Sequence, residues 1–543
     1  MGPRGKQIGT VCRERSSVSS RKLLLRDRRQ LLQLAVASVT VLAAPCVGWS
    51  QPRATADPFT LGIASGSPAA DSVVLWTRIM GGFAERAAAT PVSVRWEVAH
   101  DEQFSRIARR GEAQALPDLA HSVHAEVSGL DSDRWYFYRF LAGGAASPVG
   151  RTRTLPAPDA AAQKLRLAYA SCQRWEHGYF SAYRHMREEN LDAVVFLGDY
   201  IYEYPNAARP VRVPTGGWAL TLDDYRQRYA LHKGDADLRA MHEACPWIVT
   251  WDDHEVQNDY AGLQPGDGGP AVVDFGARRA AAYQAFYEHM PVRASVLSRA
   301  LSGLSTGAEL RLYSQFRFGR LATLNLLDTR QYRDPQVCSA VGRASGPVQP
   351  AECQSWNDPA RTLLGAPQER WLDQSLAGRT EGWSVIAQQT LFGRRDLQPG
   401  AGEVLWNDGW DGYDAARSRL TQSLRSHKVP NAVLLGGDVH ENWVGHVLAD
   451  YRRPDSAALG VEFCGTSITS RSAGSDKLPG RLAKNPHFIF ADAQRRGYGV
   501  AEFTPRQLTA TLRVVDDVTR RDSRIETLAR FAVEAGRPNV ERV

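Results

Sequence analysis

The sequence predicts an α/β domain that follows an all-β sandwich domain. Residues 57–155 carry short alternating runs of apolar and polar side chains separated by turns, which is typical of antiparallel strands. Beyond residue 165, near-continuous apolar runs alternate with helical stretches, as strands buried on both faces of an α/β sheet require. With 543 residues, 43% of them hydrophobic and 23% charged, the chain is long enough for several structural units, and disorder and coiled coil are excluded.

Residues 1–56 have the pattern of a signal peptide. A basic stretch ends at Arg28-Arg29, a 14-residue apolar run covers Leu31 to Ala44, and Ala54-Thr55-Ala56 is a small-residue cleavage site. The arginine pair resembles the twin-arginine export signal, which implies the twin-arginine export machinery as a partner and a periplasmic or secreted location. A membrane span needs about 20 apolar residues, so no stable span is expected.

The net charge of the chain is confined to this leader. Residues 1–50 hold nine Lys and Arg against two Asp and Glu, which accounts for the whole formal charge of +7. The remainder carries 57 residues of each sign. A basic surface for nucleic acid needs positive charge clustered on the folded part, so no nucleic-acid-binding surface is expected.

The first domain, residues 57–155, is predicted to contain strands at four runs: Ser72 to Thr77, Val92 to Val98, His121 to Val127 and Trp135 to Phe140. The segment Gly129 to Tyr138 resembles the corner of a fibronectin-type or immunoglobulin-like sandwich, and about 95 residues is the right size for one. A Pro- and Ala-rich linker, residues 156–164, comes next. Few contacts are expected to cross it.

The second domain, residues 165–543, is predicted to hold a mostly parallel sheet. Its strands are predicted at six apolar runs: Leu165 to Ala170, Ala193 to Leu197, Trp247 to Thr250, Leu321 to Leu327, Trp383 to Ala387 and Ala432 to Leu435. Helices are predicted at Phe180 to Glu189 and Phe275 to Met290. Gly499 to Phe503 and Leu508 to Val515 predict an antiparallel hairpin that closes a second sheet. The core is expected to end near residue 515, with a C-terminal tail after it.

Five cysteines follow the leader, and the odd number leaves at least one thiol without an intramolecular disulfide. Cys338 and Cys353 flank a stretch rich in Gly, Pro and Ser. A disulfide in an oxidising compartment typically closes such a loop, so this pair is the predicted bridge.

The residues that follow four of the predicted strands are the most informative. These segments are Ser171-Cys172-Gln173, Gly198-Asp199-Tyr200-Ile201-Tyr202, Trp251-Asp252-Asp253-His254-Glu255 and Gly436-Gly437-Asp438-Val439-His440. The carboxyl ends of strands in an open α/β sheet meet at one rim, so these side chains are expected to form a metal site. Taken singly, Asp199 or Asp253 is equally consistent with a helix cap, and His440 or Cys172 with a buried core residue. The combination favours the metal site.

This combination resembles the PhoD-type alkaline phosphatases of the calcineurin-like metallophosphoesterase superfamily. Gly198-Asp199-Tyr200-Ile201-Tyr202 is also similar to the Gly-Asp-x-x-Tyr motif of purple acid phosphatases. Further similar segments are Leu327 to Arg333, Asn485-Pro486-His487 and Arg496-Gly497-Tyr498. The resemblance covers nearly the whole chain from Asp57 to about Val515. It implies an αββα metallophosphoesterase sandwich behind the N-terminal β-sandwich.

The resemblance also implies the ligands. A ferric ion would be held by Cys172, Asp199, Tyr202 and His440. Asp199 would bridge to a second site completed by Asp253 and Asp438. Asp252 ranks below Asp253, because the family ligand directly precedes the histidine. Asn258 is an additional oxygen ligand or a turn residue.

The donor types support these cations independently. Phenolate and thiolate ligands form readily only on a strongly Lewis-acidic cation, which favours Fe(III) at the first site. Relatives with two zincs or an iron–zinc pair present an imidazole where this chain has Asp438, and an Asn where it has Asp253. Carboxylate oxygens at both positions favour Ca²⁺ at the second site.

The expected reaction is metal-assisted hydrolysis of a phosphate ester. His254 is the candidate catalytic residue, either protonating the leaving alkoxide or orienting the phosphate; alternatively it orients Asp199 or Asp253. The predicted protein is an exported alkaline phosphomonoesterase and phosphodiesterase that scavenges phosphate. The alternatives are a phospholipase D-like phosphodiesterase acting on lipid or teichoic-acid substrates and, from another class, a non-catalytic binding protein. An exposed apolar rim would favour lipid.

Overall fold

The computed structural model describes residues 57–81, 90–298, 309–379, 381–472, 474 and 476–543. The predicted signal peptide, residues 1–56, lies outside the described residues. Within the described ranges, the N-terminal region contains β1 (Ile63–Gly66), β2 (Ser72–Arg78), β3 (Val92–Ala99), β4 (Ile107–Ala115), β5 (Ser122–Ser128), β6 (Trp135–Ala142), β7 (Ala145–Ala146) and β8 (Gly150–Arg153).

The larger region contains β9 (Leu165–Ala170), β10 (Ala193–Phe196), β11 (Trp247–Val249), β12 (Ser314–Phe318), β13 (Ala322–Leu326), β14 (Pro347–Val348), β15 (Trp383–Ala387), β16 (Leu405–Trp406), β17 (Ala432–Gly436), β18 (Asn442–Leu448), β19 (Ala458–Cys464), β20 (Phe488–Asp492), β21 (Arg496–Phe503), β22 (Gln507–Val515), β23 (Ile525–Glu534) and β24 (Glu541–Arg542). Its helices are α1 (Ser181–Met186), α2 (Leu222–Lys233), α3 (Ala236–Ala244), α4 (Phe275–His289), α5 (Ser295–Ser298), α6 (Gly365–Ala377), α7 (Asp414–Ser426) and α8 (Leu478–Lys484). Short 3₁₀ helices cover Pro117–Leu119, Trp175–His177, Arg187–Glu189, Pro350–Glu352 and Trp410–Tyr413.

The N-terminal region is an all-β sandwich, as predicted. One layer pairs β2 with β1 and β5, and the other pairs β3 with β4 and β6, all antiparallel. Alternate side chains of both layers meet in one buried cluster, which includes Val73, Leu75, Val94, Val98 and Tyr138. In β6 buried residues alternate with partly exposed ones, so one face lies in the core and one outside, whereas β2 is buried on both faces.

The larger region is an αββα sandwich. The parallel trio β9, β10 and β11 lies within a ten-stranded sheet, and the parallel set β13, β15, β17 and β19 lies within a seven-stranded sheet. The two sheets share a buried cluster, to which Leu167 and Val195 contribute from one and Leu324, Val385 and Val433 from the other. Helices α1 to α4 pack on the outer face of the first sheet, and α6 and α7 on that of the second.

The sequence predicts one mostly parallel sheet and a hairpin that closes a second sheet, and this prediction of which strands pair is wrong. The six buried runs divide three and three between two sheets, and the β21–β22 hairpin pairs antiparallel with β9 in the first sheet. A run that is buried on both faces has the same pattern in either sheet, so the pattern does not reveal its neighbours.

The expected tail beyond residue 515 is also wrong. β23 pairs with β22 along its length, and its Phe531 and Val533 lie in the cluster between the sheets. Three exposed charged residues, Glu526, Arg530 and Glu534, interrupt the apolar residues of this strand, so its hydrophobic signal is weak in the sequence.

Contacts between the two regions are more extensive than the predicted linker implies. Residues 156–164 contain no helix or strand, but β1 pairs with β11 at Gly66 and Trp247. The indole of Trp76 in β2 donates to the backbone oxygen of Glu288 in α4 at 2.9 Å. The periodicity of a strand predicts which of its residues are buried within a layer, but it does not predict contacts with a neighbouring domain.

Candidate metal centre

Strand ends from both sheets bring the predicted site residues together. Cys172 follows β9, Asp199 follows β10, and Asp438 and His440 follow β17. All four have left-handed backbone angles, with φ between 57° and 65°. Non-glycine residues adopt this region at a cost of about 1–3 kcal/mol each, and such residues concentrate at functional sites.

Two glycines permit the close approach of these loops. A Cβ on Gly198, whose φ is 107°, would lie 2.4 Å from the Cβ of Asp252. A Cβ on Gly437 would lie 2.4 Å from the Oγ of Ser171. Any side chain at either position would separate the loops that carry the site.

The first cluster contains Cys172, Asp199 and His440, each with one possible ligand atom within 4.8 Å of the others. Tyr202 joins it, since its hydroxyl donates to Oδ2 of Asp199 at 2.9 Å and lies 3.3 Å from Nε2 of His440. The same hydroxyl is 2.6 Å from Oγ of Ser470. The four side chains that the resemblance assigns to a ferric ion thus lie together.

His440 is prepared to act as a neutral ligand. Burial, assisted by Arg496, lowers its pKa to about 3. Its Nδ1 lies 2.8 Å from the backbone oxygen of Arg471, and a proton donated there leaves the lone pair on Nε2.

The surroundings of Cys172 and Tyr202 disfavour the anionic forms of both side chains. Burial and the nearby carboxylate of Asp199 raise the pKa of the Cys172 thiol well above its usual value, and the same causes act on the Tyr202 phenol. Deprotonation of either group requires a strong Lewis acid beside it.

The second cluster consists of Asp252, Asp253 and Asp438, whose carboxylate oxygens lie within 4.8 Å of one another. The side chain of Asp438 is 25% exposed. The loss of water around its carboxyl group raises the pKa to about 6. Burial would raise the pKa of Asp253, but Arg330 and His254 bring it below its usual value.

Among the described residues, three carboxylate oxygens at the centre find no hydrogen-bond partner: Oδ1 of Asp199, Oδ2 of Asp252 and Oδ1 of Asp253. Buried carboxylate oxygens are nearly always paired, so three orphans in adjoining clusters fit the coordination of a cation. The donor set therefore fits metal binding, with S, N and O donors on one side and O donors on the other.

His254 lies beside both clusters. Its possible ligand atom is within 4.8 Å of those of Asp199 and Asp253, and its Nδ1 lies 2.7 Å from Oε2 of Glu203. Burial would lower the pKa of His254, but the carboxylates of Glu203, Asp253 and Asp199 together raise it well above its usual value.

Three residues important to this geometry were missed in the sequence. Glu203 holds His254 and also accepts the backbone N–H of Asn258 at 2.8 Å. Glu255 accepts the backbone N–H groups of Asp199, Tyr200 and Asp252 and so ties two site loops together. Arg330 pairs with several site carboxylates. Glu255 lies inside a motif quoted above, Glu203 directly follows one, and Arg330 lies in the similar segment Leu327 to Arg333; these positions are the signal that could have identified them.

Two further predicted residues have clear positions. The Nδ2 of Asn258 donates to Asp259 at 2.8 Å, and its role as a ligand stays a prediction. The ring of His487, in the similar segment Asn485 to His487, packs against the rings of Tyr451 and Phe488. His487 belongs to the packing of β20.

The cysteines follow the predicted pattern. Cys338 and Cys353 form a disulfide, which confirms the predicted bridge. Cys172, Cys245 and Cys464 are free and buried. Within the described part of the chain, no helix is both long and apolar enough to traverse a bilayer.

An αββα sandwich with a candidate metal centre at the carboxyl ends of its strands is typical of a metallophosphoesterase-type hydrolase. Comparison with known proteins identifies one family over most of the chain. The PhoD-like phosphatase family matches residues 167–512, and its N-terminal domain matches residues 43–156. The chain belongs to the PhoD-like phosphatase family, which confirms the resemblance and the expectation of an enzyme over a non-catalytic binding protein.

Two relatives support this assignment. Alkaline phosphatase D of Bacillus subtilis (strain 168) is 44% identical over 539 residues, which cover 95% of this chain and 89% of the relative. A solved structure described as the structure of PhoD is 44% identical with a TM-score of 0.83, covering 91% of this chain and 93% of that chain.

Proposed function

We propose that the chain is an exported phosphomonoesterase and phosphodiesterase that uses Fe(III) and Ca²⁺ and scavenges phosphate. The observation that carries this proposal is the pairing of a thiol, phenol, imidazole and carboxylate cluster with an adjoining cluster of carboxylates only. Donors of such different hardness suit two different cations.

Cys172, Asp199, Tyr202 and His440 would hold the ferric ion. The raised pKa values of the thiol and the phenol mean that both bind as anions only where a cation of high charge stabilises them. Fe(III) meets this condition better than Mg²⁺ or Ca²⁺.

Asp253 and Asp438 would hold calcium, with Asp199 bridging and Asn258 as a further oxygen donor. Calcium prefers six to eight oxygen ligands in a flexible arrangement. The unpartnered oxygens of Asp199 and Asp253 support this assignment. Asp252 also has an unpartnered oxygen, Oδ2, but its Oδ1 is held in a direct ion pair with Arg330, which ranks it below Asp253.

When bound, the two cations supply Lewis-acid activation of the phosphate ester and of water. The chain's own contribution to the chemistry is His254, which is held by Glu203 at Nδ1 and leaves Nε2 to face the ester. Water would add to phosphorus with loss of a proton, the bond to the leaving oxygen would break, and His254 would deliver a proton to that oxygen. The proton that water releases would restore the protonated form of His254.

The proposal is tested by hydrolysis of p-nitrophenyl phosphate and bis(p-nitrophenyl) phosphate by the purified chain. Asp199→Ala removes the presumed bridge between the cations and should abolish both activities while reducing the iron content. Asp159→Ala, which changes an exposed aspartate in the linker, is the control and should leave both activities unchanged. Full activity of Asp199→Ala, with unchanged metal content, contradicts the proposed centre.

Lipid or teichoic-acid diesters are the second candidate substrates. Val213, Leu263 and Val273 are exposed on the loops that follow Glu203 and Asn258, at 79%, 52% and 109% relative exposure. Exposed aliphatic side chains suit a lipid surface where they form one patch beside the site. Faster turnover of phosphatidylcholine vesicles than of soluble diesters, reduced by Val273→Asp, favours this candidate, and equal turnover rejects it.

A further inference from the structure

Arg330, in the loop after β13, is the buried countercharge of the second cluster. Its side chain is 1% exposed. Nε donates to Oδ1 of Asp252, and Nη1 donates to Oδ2 of Asp408 at 2.6 Å. Its Nη2 lies 3.7 Å from both Oδ1 of Asp253 and Oδ2 of Asp438. A buried guanidinium is costly unless its charge is compensated, and here four carboxylates surround it.

The contacts of Arg330 with Asp253 and Asp438, the two proposed calcium ligands, differ from its contacts with Asp252 and Asp408. At 3.7 Å they are too long for hydrogen bonds, so they act through charge. Asp253 is oriented by another group, since its Oδ2 accepts the backbone N–H of Asp259 at 2.7 Å. Arg330 therefore compensates the charge of Asp253 and Asp438 more than it positions them.

We infer that Arg330 substitutes for the second cation: it holds the carboxylates of the second site together when the site is empty and weakens cation binding when it is filled. This inference rests on the proposed calcium site. The reason is that the guanidinium and a divalent cation would share the negative charge of Asp253 and Asp438. The two positive groups therefore compete for these carboxylates and repel each other. The two must therefore be antagonistic in a thermodynamic cycle.

Arg333 offers a matched control three residues further along the same loop. Its side chain is also 1% exposed, and its Nη2 donates to Oδ1 of Asp408 at 2.6 Å and to the backbone oxygen of Tyr260 at 2.8 Å. Among the described residues its ion pair is with Asp408, and not with Asp253 or Asp438. Loss of Arg333 thus removes a buried cation that pairs with Asp408, which Arg330 also contacts, and leaves the pairing of Arg330 with Asp253 and Asp438 in place.

The test compares thermal unfolding of the purified iron-loaded chain in a calcium chelator and in excess Ca²⁺, together with calorimetric titration of calcium. Arg330→Met should lower Tm more in chelator than in calcium, and should tighten calcium binding by about tenfold or more. Arg333→Met should lower Tm by the same amount in both conditions. Arg330→Lys keeps the charge and should keep the calcium affinity within about threefold of the wild type.

The outcomes separate the inference from the proposed function. A wild-type chain whose Tm does not respond to calcium overturns the calcium site, and the inference with it. If calcium raises the Tm of the wild-type chain, the calcium site is supported. If, in addition, Arg330→Met and Arg333→Met lower Tm by the same amount in chelator and in calcium, the role inferred for Arg330 is wrong. If Arg330→Met does not fold in chelator, Arg330→Gln takes its place in the same comparison.

Discussion

Oε2 of Glu203 lies 2.7 Å from Nδ1 of His254, and both side chains are buried. A carboxylate on Nδ1 fixes the orientation of the imidazole and directs Nε2 to the opposite side. The second oxygen of Glu203 accepts the backbone N–H of Asn258. Glu203 therefore joins the segment that contains Tyr202 to the segment that contains Asp253.

The first prediction concerns His254 as the general acid. His254→Ala should lower kcat by about 10²–10⁴-fold for alkyl phosphates and least for nitrophenyl esters, because an acid matters in proportion to the basicity of the leaving oxygen. Glu203→Gln should act in the same direction and more weakly. Steady-state kinetics across a leaving-group series measures this. Equal losses across the series at unchanged metal content would mean that His254 orients phosphate.

The second prediction is a visible colour. Phenolate and thiolate on Fe(III) should give ligand-to-metal charge-transfer absorption, and Tyr202→Phe should shift the band while circular dichroism stays unchanged. Tyr204→Phe is the control, since the Tyr204 ring lies beside His254 with a centroid distance of 5.9 Å and is not among the proposed ligands. A band that moves with Tyr204 and not with Tyr202 contradicts the ligand assignment.

The third prediction is reversible dependence on calcium. A calcium-selective chelator should abolish activity and leave iron bound, because carboxylates exchange Ca²⁺ readily and the thiolate site does not release iron. Activity should return on addition of Ca²⁺. Equal recovery with Zn²⁺ would show that the assignment of Asp438 to a calcium site is wrong.

The fourth prediction concerns Lys233, which is 1% exposed at the end of α2. Its ammonium lies 4.2 Å from the ring centroid of Trp76, and burial lowers its pKa to about 7. The unfolded chain keeps this proton to about pH 10.4, so between these values it binds more protons than the folded chain and the free energy of unfolding rises with pH.

Lys233→Met should remove this contribution. The stability gained by the variant should be largest below pH 7 and should shrink by up to about 1.4 kcal/mol per pH unit as the pH rises towards 10. Denaturant unfolding at a series of pH values measures the difference. A stability difference that is independent of pH contradicts the burial of an uncharged lysine.

The local pattern of apolar and polar residues predicts where most strands lie, but it does not predict which strands pair with each other. The runs at β9 and β15 coincide with the predicted strands, because a buried strand needs consecutive apolar residues wherever it lies. Their assignment to different sheets depends on contacts between distant segments. The sequence does not predict β23, because three exposed charged residues, Glu526, Arg530 and Glu534, interrupt its apolar residues.

The candidate site was predictable to the extent that its residues directly follow strands. Cys172, Asp199 and Asp438 do so, and the carboxyl ends of both sheets bring them together. Arg330 was not predictable as a neighbour of Asp253, since 77 residues and a change of sheet separate them. Only the packing of the two sheets brings its loop to the centre.

The most direct test of the central claim is metal analysis of the purified native chain beside Asp199→Ala. The account predicts about one iron per wild-type chain, together with calcium that a chelator removes, and loss of iron from the variant. A fully active wild-type chain that contains zinc and no iron would contradict it.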